Sequence, residues 1–281
     1  MEGAPPDVAQ ADSVFSAAVR MQPDVVFVLF GVLPVTNTLL SAWLVTAMLI
    51  LLALVLTRRL ERQTRGAQNA WETFCEAWVR IVDKTIGPRG RRYVPLLGIS
   101  FLYILFANWL GTLPLKHIKI AGPDGQDVAL FRPATGDLNL TLAMAFVVIL
   151  LVESVEIRAV GLRQYLRSLV LPNPFRALEL ITRPLSLALR LFGNIFAGEV
   201  LVGMILLIAP AVLFAVLGLE LFVGLVQAVI FAALTLVFLS VAVAHEAHDA
   251  QAVPQGQPTP AGTNAASARR PATNEPLSTP V

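Results

Sequence analysis

The sequence is poor in cysteine, histidine and charge, and each shortage excludes a class of protein. Its single cysteine, Cys75, can form no disulfide within the chain, and no Cys/His cluster has the spacing of metal ligands. There is no phosphate-binding glycine loop of the P-loop type. We therefore expect no cofactor, no bound metal and no nucleotide chemistry on this chain. The formal net charge of +2 gives no reason to expect a nucleic-acid partner.

Apolar residues, in contrast, are abundant and arranged in long runs. Hydrophobic residues make up 56% of the chain and charged residues 14%, whereas soluble domains carry about 45–50% and about 25%. Five runs are long enough to cross a bilayer, which takes roughly 20 residues. They are 38–56, about 93–114, about 138–157, about 175–209 and about 211–246. We predict an all-α integral membrane protein with about five spanning helices, the last two long and strongly tilted as a hairpin around Pro210.

Two other segments have apolar residues without the length or uniformity of a span. Residues 25–33 are too few to cross the hydrocarbon, and we expect them at the membrane interface. Residues 68–86 carry aromatic and aliphatic side chains at helical spacing with charges between them, which predicts one interfacial amphipathic helix. No cleaved signal peptide is expected, because the N-terminus has no basic stretch followed by an apolar core.

The distribution of arginine predicts the orientation of the chain. Segments 57–92 and 158–176 are rich in arginine and should be cytoplasmic, which places the loop 115–136 and the N-terminus outside and the C-terminus inside. Three regions follow from this reading. They are an outer or interfacial segment 1–37, a transmembrane ion-translocating domain 38–246 whose hairpin 175–246 carries the site, and a disordered cytoplasmic tail 247–281.

Polar residues inside the last two helices are the candidate functional groups, because charges in apolar helices are costly. On the first of the two helices, one face carries Glu179, Arg183, Ser186, Arg190 and Asn194. Glu179 and Arg183 stand four residues apart and are expected to form a structural pair. Arg190 has no acidic residue three, four or seven positions away on its own helix, so its counter-charge must come from elsewhere. The alternative for Arg190 is a side chain that snorkels to the surface.

The second helix places further polar groups opposite the first. Glu220 and Gln227 share a face, and Gly224 between them would leave room for a close neighbour. Folding at Pro210 brings Glu199 level with Glu220 on the outer half, and Arg190 level with Gln227 deeper in the membrane. Two carboxylates in low dielectric tend to share a proton, which makes a relay for protons plausible. Asn194 and Gln227 could instead be interhelical hydrogen-bond groups.

Several stretches carry a family resemblance. RPLSLALRLFGNIFAGEVL, from Arg183 to Leu201, closely resembles the hallmark segment of the a subunit of F-type ATP synthases, and VQAVIFAALTLVFLSVAVAHEAH, from Val226, is similar to the last helix of that family. RPATGDLNLTLAMA, from Arg132, and NWLGTLP, from Asn108, are similar to weaker family segments. The resemblance is strong over about 172–246 and moderate over 93–157.

The resemblance implies a role as the non-catalytic stator beside a rotating ring of c subunits, each with a carboxylate at mid-membrane. Arg190 matches the essential arginine of the family, which faces the ring and separates two aqueous half-channels. Asn194, Glu199 and Gln227 match positions of functional interest, with Glu199 lining the outer half-channel and Gln227 lying across from Arg190. The implied partners are the c ring, the b-subunit peripheral stalk, the rest of the ATP synthase and the lipid bilayer of a bacterial plasma membrane.

One position departs from a common family pattern, because Glu220 stands where some members have histidine. Whether the coupling ion is a proton or sodium stays open, since the ring sets ion selectivity. A secondary ion transporter is the rival from another class, although no duplicated half is visible in the sequence. A channel or membrane-anchor subunit is the third alternative, but it would not need an unpaired arginine inside a helix.

Overall fold

The computed structural model describes residues 23–30, 32–58, 66–113, 118–121, 127–170 and 175–252. Seven helices form most of this part of the chain. They are α1 (Asn37–Thr57), α2 (Ala67–Thr85), α3 (Val94–Thr112), α4 (Leu138–Val160), α5 (Leu162–Val170), α6 (Phe175–Ile208) and α7 (Leu213–Ala252). Short 3-10 turns at Pro88–Tyr93, Ala134–Gly136 and Pro210–Val212 precede α3, α4 and α7.

Five helices of the described chain are long and apolar enough to span a bilayer. They are Asn37–Thr57, Pro88–Thr112, Leu138–Arg158, Phe175–Ile208 and Pro210–Ala244, where two ranges include the preceding 3-10 turn. This confirms the predicted all-α integral membrane fold with five spanning helices. Many large hydrophobic side chains of these helices are exposed. Such a surface is expected where lipid, and not water, surrounds the helices.

The last two spans meet at Pro210, as the sequence predicts. Ala209 leaves helical geometry, and Pro210 begins the 3-10 turn, a position where its missing N–H costs no helical hydrogen bond. The second arm continues to Ala252, so it includes residues 247–252 of the segment that the sequence analysis assigns to the tail. That segment is rich in good helix formers, and Pro254 is the first residue that prevents continuation. The remainder of the predicted tail, 253–281, lies outside the described residues.

The amphipathic segment forms α2, close to its predicted range of 68–86, and its aromatic stripe packs on the second span. Phe74 and Trp78 lie with their ring centroids 5.9 and 5.7 Å from that of Phe101 in α3. A second amphipathic helix, α5, was not predicted. Because segment 158–176 is rich in arginine, it was interpreted as a polar connection. Leu162, Tyr165 and Leu166 nevertheless recur at helical spacing.

In the part of the chain that the structure describes, two small antiparallel strand pairs lie outside the spans. Strand β1 (Val25–Leu29) pairs with β2 (Leu33–Thr36), so the apolar segment predicted at the interface takes the form of a hairpin. Strand β3 (Lys119–Ala121) pairs with β4 (Asp127–Ala129) inside the predicted outer loop. The last residues of that loop are not exposed to solvent. Ala134, Thr135 and Gly136 are buried between helices.

The main core joins α3, α4, α6 and α7. Its buried residues are Ile104, Leu105, Ala145, Val148, Ile149, Leu187, Ala188, Leu191, Ala228 and Phe231. Fully buried alanines on three of the four helices, Ala145, Ala188 and Ala228, allow close approach of the backbones. The core therefore fixes the hairpin of α6 and α7 against α3 and α4, which positions the polar groups described next.

Candidate functional site

Arg190 lies on the outward face of α6. Arg190 and Ser186 are both exposed, and Asn194, one turn further along, is half-buried. Within the described ranges, the Arg190 side chain has neither a hydrogen bond nor an ion pair. The apolar residues Leu185 and Leu189 beside it are also exposed, at 42% and 49%. Within the described structure, the helix therefore presents an unpaired guanidinium beside exposed leucine side chains.

The expected pair at the beginning of α6 is present. Arg183 Nη2 donates to Glu179 Oε2, as the four-residue spacing predicts. Arg183 Nη1 also lies 3.8 Å from Glu153 Oε1 of α4, and its guanidinium stacks 5.1 Å from the ring centroid of Phe238 in α7. Arg183 therefore contacts side chains of three helices, and the expected ion pair with Glu179 is one of these contacts.

Glu199 lies on the opposite face of α6 and has a partner that the sequence did not predict. Arg132 Nη2 lies 3.3 Å from Glu199 Oε2, and the two side chains are only 12% and 17% exposed. Arg132 lies two residues before the 3-10 turn Ala134–Gly136, which is buried in the helix bundle. In the sequence, Arg132 is one of several charged residues in the predicted outer loop. In the folded chain, its side chain is buried beside the carboxylate of Glu199.

Glu220 lies next to the backbone that carries Glu199. A Cβ added at Gly198 would come within 2.5 Å of Glu220 Oε1, so the absence of a side chain at Gly198 accommodates this carboxylate. The hairpin therefore brings the residues that carry the two carboxylates, Glu199 and Glu220, to the same level. Arg132, Glu199 and Glu220 form a layer of charged groups, which we call the outer charged layer.

Gly224 accommodates a close neighbour, which is Asn108 of α3. Asn108 Nδ2 donates to the carbonyl oxygen of Gly224 at 3.2 Å, and a Cβ added at Gly224 would lie 3.0 Å from Asn108 Cβ. Thr135 Oγ1 donates to Asn108 Oδ1 at 2.9 Å. Asn108 was quoted in a family-like stretch but not predicted as a site residue. The signal available was an amide within an apolar span, a residue type that commonly joins membrane helices.

Gln227 and Arg190 are not joined by a hydrogen bond. Gln227 is only 6% exposed, and its Nε2 is a buried donor with no hydrogen-bond partner in the described structure. Arg190 is exposed on the other arm of the hairpin. The expected placement of Gln227 across from Arg190 therefore stays a prediction, and the amide is a polar group available for water or a shifted arginine.

Charged residues with little exposure also lie near the C-terminal end of α4 and the N-terminal end of α6. In this region, only Glu179 and Arg183 were candidates from the sequence. Arg176 Nη2 donates to Glu156 Oε1, and Tyr165 donates to Glu153 Oε2 at 2.8 Å. Burial raises the pKa of the Tyr165 hydroxyl, and its hydrogen bond to the Glu153 carboxylate raises that pKa further. We call Glu153, Glu156, Tyr165, Arg176 and Arg183 the inner charged joint. It connects α4, α5 and α6.

Comparison with known proteins assigns the chain to a family. Residues 39–240 match the family described as ATP synthase A chain. The chain belongs to the ATP synthase A chain family. Proteins named ATP synthase subunit a from Moorella thermoacetica and Gloeobacter violaceus are 34% and 37% identical over 215 and 218 residues. These alignments cover 75% and 76% of this chain, and 92% and 85% of the relatives. A third, from Mycobacterium leprae, is 34% identical over 231 residues, covering 78% of this chain and 91% of its own length.

The part of the chain that matches the ATP synthase A chain family contains the outer charged layer, Arg190 and the inner charged joint. The family and the five apolar helices together show a multi-pass membrane protein. In the described residues, no three His, Cys, Asp or Glu side chains are grouped as a metal site.

Proposed function

We propose that this chain is subunit a of the membrane sector of a rotary ATP synthase and couples proton flow to rotation of a ring of c subunits. The observation that carries the proposal is Arg190, an exposed guanidinium that has no partner among the described residues and lies beside the exposed side chains of Leu185 and Leu189. A charge facing lipid at the middle of a bilayer costs about 2.5–3.5 kcal/mol on insertion scales. A ring of carboxylates sliding past this face would offset that cost.

Arg190 acts in this proposal by attracting each ring carboxylate in its ionised form. A carboxylate that reaches the arginine must have released its proton, and one that leaves it must bind a new proton before it re-enters lipid. The positive charge of Arg190 also repels protons that would pass straight from one aqueous half-channel to the other. Protons then cross only by riding on the ring, driven by about 2.3 kcal/mol per charge for each 100 mV.

The outer charged layer is the proposed path from outside. Glu199 and Glu220 lie on adjacent stretches of the two arms, and Arg132 is paired with Glu199. Carboxylates so placed can accept a proton and pass it on through small movements or water. Asn194, half-buried one turn beyond Arg190, and the buried amide of Gln227 are polar groups between this layer and the arginine.

The wider assignment follows from the same role. The partners are the c ring, a peripheral stalk of b subunits and the rest of the ATP synthase, in the plasma membrane of a bacterium. From the arginine-rich segments we infer a cytoplasmic C-terminus and an N-terminus on the outer side, because loops rich in Lys and Arg are usually cytoplasmic. ATP synthesis itself occurs on other subunits, and this chain supplies only the ion path.

The direct test is Arg190→Ala in the assembled ATP synthase, reconstituted in lipid vesicles. We expect proton-driven ATP synthesis and ATP-driven proton pumping to fall to background while assembly is retained. Arg167→Ala is the matched control, because Arg167 is exposed on α5 and also lacks a partner in the described structure. The control should keep both activities. Normal synthesis by the Arg190→Ala enzyme would refute the proposed role.

A further inference from the structure

A cleft of about 340 Å³ lies at the inner ends of α3, α4 and α7, away from the residues assigned to ion transfer. Its polar lining comes from Arg92, Tyr93, Ser154 and Arg158. Arg92 and Tyr93 immediately precede α3, and Arg158 lies in the last turn of α4, so the two arginines come from neighbouring helices at the same end of the bundle. Among the described residues, no acidic side chain lines the cleft.

The two arginines are suited to bind an anion. Arg158 is exposed and has no ion pair or hydrogen bond within the described chain. The Arg92 guanidinium lies 4.7 Å from the ring centroid of Tyr93, so its positive charge lies at the same end of the cleft as that of Arg158. Asp83, a nearby carboxylate, is already paired with Arg91 at 2.7 Å. The cleft therefore presents positive charge at its polar end.

The rest of the lining is apolar. Leu96, Leu151, Val155 and Leu239 complete the cleft. Leu151 precedes Arg158 by seven residues of helix, which at a rise of 1.5 Å per residue places it about 10 Å further into the membrane. This combination of a cationic end at the edge of a span and an apolar wall within it matches the two parts of a phospholipid.

We propose that this cleft binds an anionic phospholipid, with its phosphate between Arg92 and Arg158 and the beginning of an acyl chain along Leu151 and Val155. Basic pockets between membrane helices on the cytoplasmic side are a recurring form of anionic headgroup site. A soluble phosphate would use the arginines but would leave the apolar wall without a ligand. The site therefore ties α3, α4 and α7 to the surrounding bilayer.

The test uses the full chain in its assembled complex in lipid nanodiscs. The probe is phosphatidylglycerol with a photoreactive group in one acyl chain, compared with phosphatidylcholine carrying the same group. We expect phosphatidylglycerol to label residues around Leu96 and Leu151 at least about fivefold more strongly, the factor that one basic residue near an anionic lipid contributes. Equal labelling by the two lipids would overturn the proposal.

Two variants separate charge from shape. Arg92→Gln/Arg158→Gln should reduce phosphatidylglycerol labelling to the phosphatidylcholine level. Arg163→Gln/Arg167→Gln is the matched control, because it removes the same charge from exposed positions of α5 at the same end. The proposal fails if the first variant keeps its labelling or if the control loses as much.

Val155→Trp tests the apolar part of the site without changing its charge. The indole should fill the wall where the acyl chain lies, and labelling should fall although both arginines remain. Unchanged labelling would place the chain elsewhere and contradict the proposed site. Excess inorganic phosphate provides the last arm. It should leave labelling intact, and displacement of the probe by phosphate would indicate a site for a soluble anion instead.

Discussion

Two arginines of the chain occupy opposite environments, and this difference separates their roles. Arg132 is 12% exposed and paired with Glu199 at 3.3 Å, so its charge is neutralised within the chain. Arg190 is exposed and unpaired in the described structure, so its charge is directed outward. A buried charge that loses its partner is strongly destabilising, whereas an outward charge affects the protein only through what approaches it. The first arginine should therefore matter for stability and the second for coupling.

Replacing Arg132 should test this assignment. We expect Arg132→Ala to lower the free energy of unfolding by about 3–5 kcal/mol, because the Glu199 carboxylate would remain buried without its cation. Denaturant titration in mixed micelles measures this quantity. The double variant Arg132→Ala/Glu199→Gln should recover part of the loss, since it removes the orphaned charge.

Arg80→Ala is the control for Arg132→Ala. Arg80 pairs with Glu76 at the same 3.3 Å, but the two side chains are 65% and 71% exposed. Exposed pairs of this kind contribute about 0.2–1 kcal/mol. Equal losses for the two single variants, or no recovery in the double variant, would show that burial of the Arg132–Glu199 pair has no energetic consequence.

At the residue scale, contacts between residues a few positions apart on one helix could be predicted from the sequence. Contacts between residues far apart in the chain could not. Spacings of three, four and seven residues placed Arg190 on one face of α6 and correctly paired Glu179 with Arg183. Arg132 lies 67 residues from Glu199, and Asn108 lies 116 residues from Gly224. No local pattern links such partners, because only the packing of separate helices brings them together.

At the scale of elements, the short connections between spans are held by buried charge rather than by apolar contacts alone. Glu156 of α4 is paired with Arg176 of α6, and Glu153 of α4 accepts from Tyr165 of α5. Each carboxylate is less than one-tenth exposed, so the inner charged joint fixes the start of the functional hairpin relative to α4. Loss of one of these pairs should loosen the joint.

Glu156→Gln and Glu179→Gln form a matched pair of tests of the joint. Both replace a glutamate paired with an arginine of α6, but the Glu156 side chain is 8% exposed and that of Glu179 is 50% exposed. We expect Glu156→Gln to cost about 1.5–3 kcal/mol of stability, the range for hydrogen bonds to charged groups. Glu179→Gln should cost under about 1 kcal/mol, because Arg183 retains Glu153.

Thermal unfolding of the two variants in the same detergent is the measurement. A shift of the midpoint that is larger for Glu156→Gln supports a joint stabilised by buried charge. Equal shifts, or a larger shift for Glu179→Gln, would show that the exposed pair contributes as much as the buried one.

The elements that the sequence predicted best are those with one dominant cause. Length and apolar composition gave the five spans, and Pro210 gave the bend between α6 and α7. The helix α5 and the strands were missed for different reasons. In α5 the arginines outweighed a short apolar periodicity, and β1 with β2 hold only nine residues, too few to distinguish a strand from an interfacial segment.

At the scale of the whole molecule, the distribution of apolar and polar side chains between surface and interior is the reverse of that in a soluble protein. Large hydrophobic residues such as Ile50, Phe146 and Phe222 are exposed on the spans, whereas Glu153, Glu156 and Gln227 are buried. Outside the bilayer this arrangement would aggregate, and inside it the exposed surface contacts lipid or other subunits. The fold is therefore complete only in a membrane, with its charged groups either paired within the bundle or directed at a partner.

The C-terminal tail is the one long part of the chain to which this architecture gives no role. The family match ends at residue 240, α7 ends at Ala252, and residues 253–281 are rich in proline and small polar residues without apolar periodicity. Deleting 253–281 should leave ATP synthesis in vesicles intact and change stability by no more than about 0.5 kcal/mol, as for surface substitutions.

Deleting 241–281 is the contrasting variant, because it also removes Ala242 and Val243, which are 1% and 5% exposed. It should weaken the packing of α7 and lower both the unfolding midpoint and the yield of assembled complex. Loss of assembly or synthesis on removal of 253–281 alone would show that the tail has a binding role that its composition does not indicate.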